Sequence, residues 1–356
     1  MAFLGLSWSY WRVLRAPDSP GWELRTAEWV RDIHAGWALD VVEWCVDSWN
    51  ERKLAKARPQ VLSHFPPPFE ERHRRHGRAP REPEPIQALI KPALPNEGGW
   101  QPVGRVVNGR AALQCTTFRP DPSHPAVTVA VARFTPELTR FVLVPGTQDP
   151  GGDWAWHGTV PQSERATLLA AFNAGFRLKD SRGGFFAEGR TGKELVHGAA
   201  SFVINRDGEP DIVAWGGKGR VPSSLVAVRQ NLRLIVDDGT VLPTLHNNPR
   251  GAWGRLNHAL YIWRSGLGIA ADGALIYLAG DGLTLTSLAE ALEHVGAVRA
   301  MEHDIHDAWP AFNVFQPRVQ QKDQLIGTKL LPAMRHPGER YLTPDDRDFV
   351  AAFLRD

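Results

Sequence analysis

Three Asp-Gly pairs, each set between apolar runs, constrain the fold of this chain more than any other feature. They are Asp207-Gly208, Asp238-Gly239 and Asp272-Gly273, and the runs beside them are Ser201-Phe-Val-Ile, Leu232-Arg-Leu-Ile-Val and Ala274-Leu-Ile-Tyr-Leu. An Asp-Gly pair favours the tight turn of a β-hairpin, because that turn needs backbone conformations with positive φ. The sequence therefore predicts antiparallel or mixed sheets in the region after Gly98.

One helix of this region has a start signal and a stop signal. Ser287 and Glu290 have the spacing of a capping box, and an apolar pattern runs over residues 288–295. Gly296 follows the pattern directly and is typical of a helix end. A strand is expected to resume at residues 297–301.

Other helical patterns are few. One covers residues 164–172, and a C-terminal helix is expected to begin near Thr343, with Pro344 at its first position. Apolar runs at residues 127–134 and 138–144 predict two further strands. Strands mixed with a few packed helices indicate an α+β fold with mixed, largely antiparallel sheets.

The first hundred residues have a different composition. Tryptophan and aliphatic side chains recur three and four positions apart in residues 24–34 and 37–56, which predicts two helices. The next stretch is rich in proline and arginine and should be extended. The predicted organisation is a Trp-rich helical segment (1–58), a Pro/Arg-rich strap or linker (59–98), a main domain (99–340) and a C-terminal helix (341–356).

Charge and hydropathy exclude some partners. The chain has 41 Lys and Arg against 39 Asp and Glu, a formal net charge of +2, which argues against a nucleic-acid-binding surface. It has no apolar run long enough for a membrane span and no signal peptide pattern at its start. The Trp and Tyr residues near the start are typical either of a segment close to a bilayer or of a helix docked on the domain.

Titratable side chains are concentrated in the run Glu302-His303-Asp304-Ile305-His306-Asp307, at the end of the strand predicted after Gly296. Polar groups buried at such a position are costly, so their density suggests chemistry or a metal. Alternate residues of a strand share a face. Glu302, Asp304 and His306 are therefore expected to point one way, and His303 and Ile305 the other.

Common catalytic signatures are absent, including GxSxG, the Walker loop, HExxH and GxGxxG, so ATP-dependent phosphoryl transfer and nicotinamide redox chemistry lack support. Two polar residues in glycine-rich apolar strings are candidates instead. Asn173 precedes two small residues that would let a ligand approach, or it caps a helix. Arg264 interrupts a strand, where an anionic ligand or a salt bridge to Asp304 or Glu302 would satisfy its guanidinium group.

These strings, in this order over residues 127–315, resemble the phosphodiester glycosidase domain family. The Asn-Gly-Gly-Phe-Phe string of that family is matched at Asn173, Gly175 and Phe176. Its Arg-Thr-Ala-Ile-Gly string is matched at Arg264 and Gly268, and its Asp-Gly-Gly-Gly-Ser string at Asp304. The chain departs from the pattern at Ala174, Arg177 and residues 305–308.

The resemblance implies hydrolysis of a sugar-1-phosphodiester, without a cofactor, on a cell-envelope or exported glycan, and hence an extracytoplasmic or membrane-associated protein. The implied catalytic roles are general base or charge stabiliser for Asp304 or Glu302, phosphate clamp for Arg264, proton donor for His303 or His306, and orientation of sugar or water for Asn173. The expected substrate-binding residues are Gly175, Ser265, Gly266 and Arg229.

Two other functions fit the same residues. Glu302, Asp304 and His306 on one strand face could hold a divalent metal ion that activates water. A glycan-binding module without activity is the other alternative. In each case the expected partner is an anionic carbohydrate or sugar phosphate.

Overall fold

The computed structural model describes residues 65–71, 83–217, 221–247, 261–318 and 324–355, together with a few single residues nearer the start. This part of the chain is largely β, and its strands form three sheets. The prediction of largely antiparallel sheets is confirmed, whereas helices contribute less than an α+β fold implies. The helices predicted at residues 24–34 and 37–56 lie almost wholly outside the described residues.

The strands are, in chain order, β1 (Phe69–Glu71), β2 (Gln101–Val107), β3 (Arg110–Phe118), β4 (Val129–Phe134), β5 (Thr139–Val144), β6 (Leu168–Asn173), β7 (Phe185–Ala187), β8 (Arg190–Lys193), β9 (Ala200–Asn205), β10 (Pro210–Ala214), β11 (Leu225–Gln230), β12 (Leu234–Asp237), β13 (Thr240–Val241), β14 (Ile262–Ala270), β15 (Leu275–Leu283), β16 (Ala297–Ile305), β17 (Phe312–Pro317), β18 (Leu325–Lys329) and β19 (Phe349–Leu354). The α-helices of the described residues are α1 (Leu178–Ser181), α2 (Thr244–Asn247) and α3 (Leu285–His294). Short 3-10 turns cover Pro136–Leu138, Gln162–Thr167 and Arg340–Leu342.

The strands form one large sheet and two small ones. The nine-stranded sheet has the order β1-β2-β3-β4-β15-β14-β16-β12-β13, and the five-stranded sheets have the orders β10-β9-β11-β7-β8 and β18-β17-β6-β19-β5. The pair β1 and β2 is parallel, and the other pairs are antiparallel. The central strands β14 and β16 of the large sheet carry the strings that the sequence singled out.

The large sheet is buried on both faces. One face, with Leu267 and Tyr277, packs on the small sheets in a core that includes Phe172 and Phe312. The opposite face contributes side chains such as Ile276 to a second cluster that includes much of α3. We call these the inner face and the helix face.

The hairpins predicted from the Asp-Gly pairs are confirmed. The pairs connect β9 to β10, β12 to β13 and β14 to β15. Asp238 and Gly239 both have positive φ, at 48° and 70°, as expected for a two-residue hairpin turn.

Two helix predictions are wrong, and both replaced buried strands. Residues 168–173, predicted as part of a helix, form β6, and residues 349–354 of the predicted C-terminal helix form β19. Every residue of these two strands is buried, and the strands pair with each other. A strand buried on both faces has a continuous apolar run, which periodicity does not distinguish from a short helical segment.

The predicted helix after β15 exists but begins earlier. Thr284 is its N-cap and forms the capping box with Ser287, so the box lies one turn before the predicted pair of Ser287 and Glu290. The stop signal is confirmed, because Gly296 follows the helix with φ of 90°. The strand that resumes, β16, continues to Ile305 and includes the titratable run.

Part of the Pro/Arg-rich segment packs on the domain as a strap. The Arg119 guanidinium group forms a buried ion pair with Glu97 at 2.8 Å. It also donates to the carbonyl oxygens of Ile90 and Pro92. Among the described residues, no helix has the length and apolar character needed to cross a bilayer.

We expect Gly266→Ala to destabilise the fold, because a Cβ at this position would lie 2.8 Å from Leu292 Cδ1 and 3.1 Å from the Met301 carbonyl oxygen. Crowding of this kind costs about 1–3 kcal/mol of unfolding free energy, measurable by urea denaturation. Gly216→Ala is the control, since a Cβ there meets nothing within 4 Å. Equal stability of the two variants would contradict the packing of α3 on β14.

Candidate functional site

Three of the predicted residues meet on the inner face. The Ser265 hydroxyl oxygen accepts hydrogen bonds from Asn173 Nδ2 at 3.4 Å and from the Asp304 backbone N–H at 3.2 Å. Asn173 Oδ1 in turn accepts from the Tyr277 hydroxyl and the Ala311 N–H, both at 3.0 Å. The ends of β6, β14 and β16 thus converge, and Asn173 is a strand residue rather than the helix cap considered from the sequence.

Arg347 completes this cluster and was missed from the sequence. Its Nη2 donates to Asp304 Oδ2 at 2.7 Å and to the Gly175 carbonyl oxygen at 2.5 Å. The other carboxylate oxygen, Oδ1, accepts from the Ile305 N–H at 3.0 Å. Arg347 lies in the segment predicted as the C-terminal helix, where it reads as a solvent-exposed charge. Its position just before a buried strand is what brings it to Asp304.

A β-bulge in β16 overturns the prediction that Glu302 and Asp304 share a face. Ser265 pairs with Asp304 and Gly266 pairs with Glu302, which leaves His303 as an extra residue. Because Ser265 and Gly266 are neighbours on one strand, their side-chain directions are opposite, and the same holds for their partners. Asp304 therefore points to the inner face and Glu302 to the helix face.

Arg264 and Glu302 form a buried ion pair on the helix face. Arg264 Nη1 lies 2.5 Å from Glu302 Oε1, and Arg264 Nε donates to the Leu283 carbonyl oxygen at 2.9 Å. The two side chains are 1% and 0% exposed. The structure therefore contains the salt bridge considered from the sequence, and it does not bring Arg264 together with Asp304 as a phosphate clamp. Gly266 packs against α3 on the same face.

A second buried ion pair lies beside the cluster on the inner face. Arg229 Nε donates to Asp348 Oδ2 at 2.5 Å, and Arg229 Nη1 donates to the Gln230 carbonyl oxygen at 2.6 Å. Arg229 Nη2 also donates to the Phe176 carbonyl oxygen. Burial raises the pKa of Asp348, against the opposing effect of Arg229. Arg229, predicted as a substrate-binding residue, is thus fully buried next to the site and bonded to the protein interior.

Burial also shifts the protonation of the two central titratable groups. It raises the pKa of Asp304 to about 7, although Arg347 acts in the opposite direction. Burial, with Arg229 nearby, lowers the pKa of His303 to about 3. Among the described residues, neither ring nitrogen of His303 has a hydrogen-bond partner. The imidazole is neutral near pH 7, which does not fit the predicted role of His303 as a proton donor.

His306 lies at the rim of the cluster. It has φ of 72°, and its half-exposed ring places Nδ1 2.8 Å from Asp307 Oδ1. The predicted metal ligands Glu302, Asp304 and His306 thus lie on the helix face, on the inner face and at the surface. Over the described ranges, no three or more His, Cys, Asp or Glu side chains are grouped to hold a metal ion.

Comparisons with known proteins find distant structural likenesses. No family model matches the chain, and no curated protein matches its sequence. The catalytic domain of zebrafish N-acetylglucosamine-1-phosphodiester alpha-N-acetylglucosaminidase, auto-inhibited by its pro-peptide, matches with 14% identity and a TM-score of 0.43, over 69% of this chain and 84% of that chain. A hypothetical protein from Synechocystis matches with 12% identity and a TM-score of 0.40, over 70% of this chain and 64% of that chain. A Burkholderia pseudomallei protein described as exported matches with 14% identity and a TM-score of 0.34, over 65% and 74%. Likenesses this distant assign no activity, so the chemistry of the site has to carry a functional assignment.

We expect Arg264→Leu to lower the unfolding free energy by about 3–5 kcal/mol, because it leaves the Glu302 carboxylate buried without its arginine. The double variant Arg264→Leu with Glu302→Leu should regain part of this loss, since both charges are then removed. Urea denaturation of the single and double variants measures the difference. A double variant less stable than Arg264→Leu would contradict the pairing.

Asp304→Asn should become more stable relative to the wild type as pH rises from about 4 to about 7. The folded pKa of about 7 lies above the ordinary value of 3.8, so the folded wild type holds a proton that the unfolded chain releases in this range. Wild-type stability from this group is therefore lost as pH rises, and asparagine does not titrate. Thermal unfolding at several pH values measures the difference. The exposed Asp207→Asn is the control, and a level difference for Asp304→Asn would contradict the raised pKa.

Proposed function

We propose that this protein is a glycosidase-type hydrolase that cleaves a sugar-1-phosphodiester, with Asp304 as its acid–base group. The observation that carries the proposal is a buried carboxyl group with a pKa of about 7, held by an arginine and by the Asn173 and Ser265 pair. A carboxyl group that titrates near the working pH is suited to proton transfer in either direction.

The reaction breaks the bond between the anomeric carbon and the phosphate oxygen. Water adds its oxygen to the anomeric carbon, and its proton passes to Asp304 in the ionised form. The transition state resembles an oxocarbenium ion, which a nearby carboxylate stabilises. Phosphate is a good leaving group, so the bond to the departing oxygen needs less protonation than in an ordinary glycoside. We propose the half-exposed His306 for any proton transfer at that side.

Arg347 replaces Arg264 as the proposed phosphate-binding cation. Within the described part of the chain, both hydrogen bonds of its side chain use Nη2. Nε and Nη1 are therefore available as donors to a phosphate oxygen, in the two-pronged geometry that arginine favours. The contact with Asp304 would hold the bound phosphate next to the acid–base group.

Asn173 and Ser265 are proposed as positioning residues. All of their side-chain hydrogen bonds given above are made to the protein: Asn173 to Tyr277, Ala311 and Ser265, and Ser265 to the Asp304 backbone. They fix the backbone of Asp304, and the Gly175 carbonyl oxygen fixes Arg347. This differs from the direct contact with sugar or water expected for Asn173.

The substrate is proposed to be an envelope or exported glycan, with the protein acting outside the cytoplasm or at a membrane. This part of the proposal rests on the family resemblance of the sequence strings. A glycan-binding module is the alternative that the structure favours by one observation: Asp304, which has to reach the substrate, is 2% exposed.

A panel of sugar-1-phosphodiesters, including envelope polymers, tests the activity through release of reducing sugar. Wild-type protein should release sugar, and Asp304→Asn should lower the rate by about 100-fold or more, as expected for loss of an acid–base group. Asp207→Asn, an exposed aspartate in a hairpin turn, is the matched control and should keep the wild-type rate. No release by the wild type, or equal release by Asp304→Asn, would overturn the proposal. Binding without release in both proteins would support the glycan-binding module.

A further inference from the structure

Two guanidinium groups lie against one indole ring beside Asp304. The Arg347 guanidinium carbon is 4.3 Å from the centroid of the Trp309 ring, and that of Arg177 is 5.6 Å from it. Trp309 is 9% exposed, and Arg177 is partly exposed. Cations over an indole face are stabilised by its ring quadrupole. The indole thus holds two positive charges together at the solvent side of the site.

The backbone that presents Arg177 is anchored on both sides. The Phe176 N–H donates to Asn231 Oδ1 at 3.3 Å, and the Phe176 carbonyl oxygen accepts from Arg229. After Arg177, the Leu178 N–H donates to Asp149 Oδ2 at 2.9 Å. A charged side chain on a fixed backbone loses less conformational freedom when it binds a ligand, so Arg177 is preorganised.

The titratable groups around Trp309 leave the rim positive. Asp307 is within ion-pair distance of His306 at 2.8 Å and of Arg335 at 3.7 Å. His336 lies on the other side, where Nε2 is 2.8 Å from the Ala308 carbonyl oxygen, and burial lowers its pKa to about 4. His336 is therefore neutral near pH 7. The carboxylate in contact with Arg347 is Asp304.

We infer that Arg177, Trp309 and the outward nitrogens of Arg347 form the subsite for the departing phosphate, and that Arg177 selects an anionic leaving group over a neutral one. Two neighbouring cations repel each other, and an oxyanion between them removes that repulsion while it accepts charge-assisted hydrogen bonds. The indole gives the phosphate substituent an apolar surface. The inference rests on the proposed function for its reaction but not for its ligand, since a phosphate-class anion can bind without hydrolysis.

Binding of inorganic phosphate, followed by isothermal titration calorimetry, tests the subsite without any need for activity. Wild-type protein should bind phosphate, and added NaCl should weaken the binding. Arg177→Gln should weaken it about tenfold, the effect of losing one charge-assisted hydrogen bond, and Arg177→Lys by less. Arg190→Gln is the matched control, because Arg190 also lies over an indole ring, that of Trp154, at 3.7 Å. No phosphate binding by the wild type, or equal affinity in Arg177→Gln, would overturn the inference.

Kinetics provide a second measurement of leaving-group selection. For a phosphodiester cleaved by the wild type, Arg177→Gln should raise KM or lower kcat/KM about tenfold. For the 4-nitrophenyl glycoside of the same sugar, whose leaving group lacks the phosphate, the variant should behave as the wild type does. Equal losses with both substrates would contradict a role of Arg177 in leaving-group selection. Phosphate binding without sugar release from any substrate would instead mark failure of the proposed function, with the subsite intact.

Discussion

The bulge at His303 is the feature on which the arrangement of the site depends. On a regular strand Glu302 and Asp304 would share a face, and two carboxylates so close together in a poorly solvated interior would repel each other. The extra residue sends them to opposite faces, where each meets its own arginine, Arg264 or Arg347. One pair then lies under α3, and the other lies among the small sheets. A single local irregularity thus separates a structural ion pair from the candidate site.

Buried ion pairs of this kind contribute geometry more than net stability, since desolvation of the charges offsets much of their attraction. The pairs Asp304 with Arg347 and Asp348 with Arg229 fix the segment before β19 against β16 and β11. The raised pKa values of both aspartates reflect the cost of keeping carboxylates there. Such a cost is characteristic of sites where a titrating group is needed at a defined position.

The sequence predicted the parts of the fold that depend on local chemistry. The Asp-Gly turns were readable because their backbone requirement is local, and Gly296 marked the end of α3 for the same reason. The strands β6 and β19 were not readable, because burial on both faces removes the alternation that identifies a strand. In the site, the motif order brought Asn173, Ser265 and Asp304 together correctly. The side of Arg264 was not predictable, since it follows from a bulge, and Arg347 was hidden in a misread segment.

The topology also orders events during synthesis. Gly175 and Arg347, whose contact supports Asp304, are separated by 172 positions, and β6 pairs with β19 along most of its length. A ribosome completes β6 long before it makes β19, so one edge of β6 has no strand beside it while the intervening chain is translated. Exposed apolar strand edges are prone to wrong pairing, which chaperones counteract. The nascent protein thus gains its proposed catalytic geometry in a late step, and a chain released early would carry an open β6 edge and no arginine at Asp304.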